Sequence, residues 1–113
     1  MRFETEPIGH ALLIHTVTAT LDASNSAEFK LDIGPLIASN TRIIFDLSSL
    51  NFIDSSGVGA LLSCLRRISG LKGELKIVGV QPRVRSVFQL LRMHQIFDLV
   101  DNAETAVTRF SSP

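Results

Sequence analysis

Two apolar runs of strand length, RIIFDL (42–47) and ELKIVGV (74–80), flank a segment with the clearest helical period in the chain. Within it Gly57, Ala60, Leu61, Cys64, Leu65 and Ile68 fall at i, i+3, i+4, i+7, i+8 and i+11, one narrow face at 3.6 residues per turn. A strand, a helix and a second strand in that order make a βαβ unit, whose two strands run parallel with a right-handed crossover. Parallel strands are covered on both faces, and the β-branched run at 42–47 has no polar face to offer water. This unit predicts an α/β layer fold with helices packed on a sheet.

The remaining segments fit around it. RFETE alternates, with Phe3 and Thr5 on one side, and Pro7-Ile8-Gly9 reads as a turn. HALLIHTV (10–17) is a second strand, apolar enough for burial on both faces, and the two predict an antiparallel hairpin that makes the sheet mixed. Asp22, Ser24, Asn25 and Ser26 offer several caps for a first helix. Its apolar stripe, Ala27, Leu31, Ile33, Leu36 and Ile37, is imperfect, and Gly34-Pro35 predicts a bend or break. Gly70 and Gly73 end the central helix. Pro82 starts another at its first-turn position, with Val84, Val87, Phe88 and Leu91 inward. IFDLV (96–100) is a short strand, and Asp101 or Asn102 caps a last helix with Ala103, Ala106, Val107 and Phe110 inward. No repeat or linker interrupts the 113 residues, which predicts one domain over 1–113.

Composition narrows the function. Eleven basic residues balance eleven acidic ones, so nothing in the net charge favours nucleic acid or an anionic membrane as partner. Arg83, Arg85 and Arg92 are the candidates for a local basic patch, and a solvated helix face explains them as well. A single cysteine, Cys64, excludes an internal disulfide and a cysteine-based metal cluster; on the inward stripe it reads as a small core residue. The start carries acids and a proline where a signal peptide needs an apolar run, and no run approaches a membrane span. The expectation is a cytoplasmic, soluble protein with no cofactor and no metal.

The chemistry concentrates in NFIDSSGVGALL (51–62), between the first βαβ strand and its helix. Ligands of open α/β sheets bind at that edge, and a helix amino terminus with free N–H groups and about half a positive charge stabilises a phosphate. A nucleophile elbow needs glycine two places before and after its serine. Ser55 has Ile53 before it, and Ser56 has Asp54 before it and Val58 after. The histidines, His10, His15 and His94, lie in a strand signal or a polar turn, so no base is placed for a hydrolase. Gly57 and Gly59 are not followed by lysine as a P-loop requires, and the third glycine of a dinucleotide fingerprint is missing. A simple helix cap by Asp54 or Ser55 stays open, but does not explain two hydroxyls, an acid and two glycines together.

These residues carry a resemblance. FDLSSLNFIDSSGVGALLSCLRRI is similar to the signature segment of STAS domains, particularly bacterial anti-sigma factor antagonists: an apolar strand ending Asp-Leu, a short loop, then D-S-[ST]-G-[LV]-G and a helix. LDASNSAEF resembles the family's Leu-Asp pair opening the first helix, and KGELKIVGVQPRVRSVFQLLRMHQIFDLVDNAETAV resembles the remainder. The stretch before Leu21-Asp22 departs from the family pattern, with Ala19-Thr20 where glycine is common. The resemblance implies a STAS-like α/β domain with a mixed sheet of four to five strands and about four helices.

The resemblance also implies a phosphorylation switch rather than an enzyme. Such antagonists bind an anti-sigma factor that is a serine kinase of the GHKL type, and a PP2C-type phosphatase reverses the modification. Carried onto this chain, Ser55 is the phosphorylated serine, with Asp22, Asp54, Ser56, Gly57 and Gly59 supporting it. Asp22 and Asp54 are expected to orient the hydroxyl or pair with a kinase cation. Val58 and Leu62, off the inward stripe, are expected as exposed apolar residues of the partner interface. The alternative is a STAS domain of another regulatory or transport assembly, such as a lipid-transport subunit, outside sigma control.

Overall fold

The computed structural model describes residues 1–110. Among them the elements run β1 (Phe3–Ile8), β2 (Ala11–Thr16), β3 (Thr20–Leu21), α1 (Ser26–Ala38), β4 (Arg42–Asp46), β5 (Phe52–Ile53), α2 (Ser55–Gly70), β6 (Glu74–Val78), α3 (Pro82–Leu90), β7 (Asp98–Val100) and α4 (Ala103–Arg109), with a 3-10 turn at Met93–Gln95. Five strands form a mixed sheet in the order β1-β2-β4-β6-β7. The β1–β2 hairpin is antiparallel, and β2, β4, β6 and β7 run parallel in succession. The expected α/β fold, with four helices on a mixed sheet, is the one that forms.

Strand alternation divides the core between the two faces. Ile14, Ile43, Phe45, Leu75 and Ile77 pack against Phe29, Ile33 and Ile37 of α1, Leu61, Cys64 and Ile68 of α2, and Val84 and Phe88 of α3. The opposite face carries Ala11, Ile44, Val78 and Val100 beneath Ala106 of α4. Ile43, Ile44 and Phe45 are thus buried on alternate sides, as a central strand requires. Phenylalanine supplies the bulk: Phe3, Phe29 and Phe45 meet edge to face at 5.8 and 6.2 Å, and Phe88 stacks on Phe97 at 5.6 Å. Lys76, mid-strand on the α4 side, is also buried; its ammonium pairs with Asp98 at 2.8 Å and lies over the Phe110 ring.

Several expectations are corrected. β1 continues through Pro7 to Ile8, and the turn moves to Gly9, whose φ is +59°. An edge strand tolerates proline, because the missing donor faces away from the ladder. α1 does not break at Gly34-Pro35 but runs on to Ala38. Pro35 is exposed, so the carbonyl it leaves without a donor, that of Leu31, can be met by water. Ile33 and Ile37 face inward as expected, but Ala27 and Leu31 point outward, Leu31 being 78% exposed, and Phe29 completes the inward face in their place. In α3 the stripe ends at Phe88; Leu91 is exposed, and Phe97 fills the space beyond. β2 is less covered than expected, with Leu12 and Leu13 only half-buried.

The end of α2 is a two-bond C-terminal lock. Gly73 N–H donates to the Ile68 carbonyl at 2.8 Å and Lys72 N–H to the Ser69 carbonyl at 2.9 Å. Lys72, not glycine, takes the left-handed conformation. Gly73 serves a different need: a Cβ there would lie 2.6 Å from the Thr41 carbonyl oxygen.

One pairing had no sequence signal. β3 and β5, two residues each, pair in parallel with Thr20 opposite Phe52 and Leu21 opposite Ile53. The Leu21 carbonyl is thereby pressed onto the first turn of α2 at Gly57, where a Cβ would collide with it and approach Ile53 Cγ1 to 2.7 Å. Gly57→Ala should therefore cost about 3 kcal/mol in urea unfolding, the scale of severe overpacking; a cost below about 0.5 kcal/mol would contradict this contact. Pro35→Ala should do the reverse and stabilise by about 1–3 kcal/mol, because it restores a helix donor at an exposed site. A destabilised Pro35→Ala would show that the proline is accommodated without cost.

Candidate functional site

The site is the carboxyl edge of the parallel strands, where α2 begins. Asp54 is the N-cap residue of α2, extended at φ −115° and ψ −174°. Its Oδ1 accepts the Gly57 N–H at 2.9 Å. Its Oδ2 accepts the Ala23 N–H at 3.2 Å, from the loop that leads into α1. Its own N–H donates to the Leu21 carbonyl at 3.3 Å. One aspartate therefore fixes the start of α2 and ties it to a segment 31 residues earlier in the chain.

The Asp22 loop is laced in the same way. Asp22 Oδ1 accepts from Ser24 N–H at 2.9 Å and from Ser24 Oγ at 2.5 Å. Asn25 Oδ1 accepts the Asp22 N–H, and Asn25 Nδ2 donates to the Thr20 carbonyl, both at 2.9 Å. The Ser24 hydroxyl and N–H hold the Asp22 carboxyl below the usual carboxylate range. A depressed folded-state pKa means that these bonds stabilise the loop at neutral pH and are lost as pH falls below the ordinary value of 3.8.

Asp22, Asp54 and the two serines all lie at this edge, and Asp54 is bonded to the Asp22 loop. Both Asp54 oxygens and Asp22 Oδ1 are committed to backbone N–H groups and to Ser24, and among the described residues neither the Ser55 nor the Ser56 hydroxyl has a protein hydrogen-bond partner. Ser55 is exposed and Ser56 half-buried. The backbone N–H groups of Ser55 and Ser56 likewise have no acceptor among the described residues, as at any helix start. Ser55 thus presents a free hydroxyl beside two outward N–H donors and the positive end of a 16-residue helix.

The two glycines differ. Gly57 is fixed by the Leu21 carbonyl, whereas nothing lies within 4 Å of a Cβ built on Gly59. Packing therefore does not explain glycine at 59. Val58 is corrected outright as an exposed residue: it is 4% accessible and part of the core. Leu62 is half-buried against the same core. The exposed apolar neighbour is Phe52, at 48%, on the strand that leads into Asp54. Its signal in the sequence was alternation: with Ile53 inward, Phe52 must point out. Cys64 is buried, and its thiol is pushed up to about 12, so it stays protonated in the core. Among the described residues no helix is long and apolar enough to cross a membrane.

Known proteins share this fold. The anti-sigma F factor antagonist of Lysinibacillus sphaericus is 30% identical over 91 residues, covering 79% of this chain and 78% of that protein. The solved structure of the anti-sigma factor antagonist SpoIIAA in its unphosphorylated form is similar at a TM-score of 0.75 and 28% identity, covering 96% of this chain and 95% of the other. The Bacillus cell fate determinant SpoIIAA in its phosphorylated form gives 0.67 and 27%, covering 96% and 98%. The family model for the STAS domain matches residues 2–106, nearly all of the described chain, and the protein belongs to that family.

Proposed function

We propose that this chain is an anti-sigma factor antagonist switched by phosphorylation of Ser55. The observation that carries the reading is an exposed Ser55 hydroxyl, free of protein partners, at a helix start that Asp54 holds rigid from outside. In this reading a GHKL-type serine kinase, itself the anti-sigma factor, binds the unmodified chain and is thereby kept from its sigma factor. Phosphoryl transfer to Ser55 ends the complex, and a PP2C-type phosphatase restores the hydroxyl. The catalytic groups belong to these partners, and the chain acts as substrate and binding module.

The physics supports each step. A phosphate adds about −1.5 to −2 charges and three acceptor oxygens. The uncommitted N–H groups of Ser55 and Ser56 and the helix dipole stabilise that charge, so the fold need not open. What changes is the surface. A partner that docks over Ser55 would bury the new charge near Asp22 and Asp54, at the cost of repulsion and desolvation. A relative of the same fold has been determined in a phosphorylated form, which is consistent with a fold that survives the modification. The docking face proposed here follows α2 from Ser55 through Gly59 to Leu62, with Phe52 beside it, and leaves Val58 out because it is buried. Glycine at 59 suits such a face, because a second turn without a side chain there lets a partner approach the helix backbone.

Incubation with the cognate kinase and ATP should place one phosphate on the peptide spanning residues 43–66, at Ser55, and none on Ser55→Ala. Ser55→Ala should still bind the kinase. Ser55→Asp should bind at least about 10-fold more weakly, roughly 1.4 kcal/mol; equal binding would rule out the switch. Gly59→Arg should leave the thermal midpoint within a few degrees of wild type while weakening the complex by about 10-fold or more. Unchanged binding by Gly59→Arg would remove this helix face from the interface.

A further inference from the structure

We propose that Ser49 is a second reactive serine, a nucleophile that takes an acyl group from small, neutral, activated esters. It lies in the loop after β4, at the same carboxyl edge of the sheet as Ser55 but on a different set of partners. Its Oγ is 2.8 Å from His15 Nε2, and His15 Nδ1 is 3.3 Å from Glu4 Oε1. The sheet assembles this row. Glu4 and His15 are opposite one another in the β1–β2 register, and His15 stands opposite Asp46, three residues before Ser49, in the β2–β4 register.

The direction of the hydrogen bonds follows from the acid. A carboxylate can only accept, so in neutral imidazole Nδ1 carries the hydrogen and faces Glu4. Nε2 then has a lone pair, and the Ser49 hydroxyl must donate to it. A hydroxyl donating to a histidine whose other nitrogen is held by a carboxylate is an activated nucleophile, whatever fold carries it. The other Glu4 oxygen accepts from Arg2 Nη2 at 3.0 Å, which leaves Oε1 for the ring. The loop also offers an oxyanion donor. Ser48 N–H donates to Asp46 Oδ1 and Leu50 N–H to the Leu47 carbonyl, both at 2.9 Å, whereas Ser49 N–H has no acceptor among the described residues. The His15 side chain is 25% exposed and reachable from solvent. The charges facing it are Glu4 from β1 and Asp46 from β4, with Arg2 on the far side of Glu4, a setting that favours a neutral acyl donor over an acyl phosphate.

In the step, a bond forms between Ser49 Oγ and the acyl carbon. The hydroxyl proton passes to His15 Nε2. The ester C–O bond then breaks, and the departing oxygen takes that proton, leaving acyl-Ser49 and an alcohol. Ser55 has no such base beside it, so its hydroxyl stays inert without a kinase. His15 is the base, and Glu4 is a positioning residue that fixes the tautomer.

The test is the full chain with p-nitrophenyl acetate, reading nitrophenol release and the acetylated peptide by mass spectrometry. One acetyl on Ser49 is expected, slowed at least about 100-fold in His15→Gln, absent from Ser49→Ala and unchanged in Ser86→Ala, an exposed serine of α3. Glu4→Gln should slow labelling by about 10-fold and Glu4→Asp should recover most of the rate, both at an unchanged thermal midpoint. Acetyl confined to lysines and the terminal amine, or His15→Gln labelled at the wild-type rate with its fold intact, would overturn the proposal.

Discussion

The carboxylate of Asp54 is the contact on which the functional edge depends. Each of its oxygens takes one backbone N–H, Gly57 in its own helix and Ala23 in the loop before α1. A charge-assisted cap of this kind contributes about 1 kcal/mol, modest against the core. Its importance is geometric. β3 and β5 pair over two residues each, too short to hold a register alone. With Asp54 as a clamp, and with no Cβ on Gly57, the Leu21 carbonyl can lie against the first turn of α2. The helix start becomes one rigid corner shared by two loops.

That corner explains how a hydroxyl can carry a large change of charge on a quiet fold. The exposed serine, Ser55, takes no part in the Asp54 cap, the β3–β5 pairing or the core. Its loss or modification breaks none of the bonds that hold the site. The acid beside it does all the anchoring, and a modification that changed Asp54 would instead release Gly57 and Ala23 together. Ser56 and Gly57 lie further into the helix and shape it, while Gly59 sits over open space. Neighbours four residues apart or fewer thus divide into structural and surface roles by where the Leu21 carbonyl falls.

Long periodic segments were readable from the sequence because their burial repeats. The βαβ unit, the α2 face through Ile68 and the proline start of α3 all rest on a period that spans several turns or a full strand. What escaped was set by tertiary position. The phase of α1 follows Phe29, Ile33 and Ile37, and the apolar Leu31 misleads because nothing in the sequence says which side meets the sheet. Pro35 breaks no helix because its missing donor falls on the solvent side. Val58 looked exposed from the helix alone but is buried in the core, and the two-residue strands β3 and β5 leave no period to read. The second bond of Asp54, to Ala23, joins residues 31 apart and has no local signature.

Phosphate at Ser55 should alter a surface and leave the fold in place. Backbone amide chemical shifts of the uniformly labelled chain, before and after stoichiometric phosphorylation, test it directly. Large shifts are expected for Ser55 and Ser56, smaller ones through Gly59 and in the 22–25 loop, and none at Phe29, Phe45 and Phe88 in the core. Shifts spread through those core residues, or lost dispersion across α2, would contradict it.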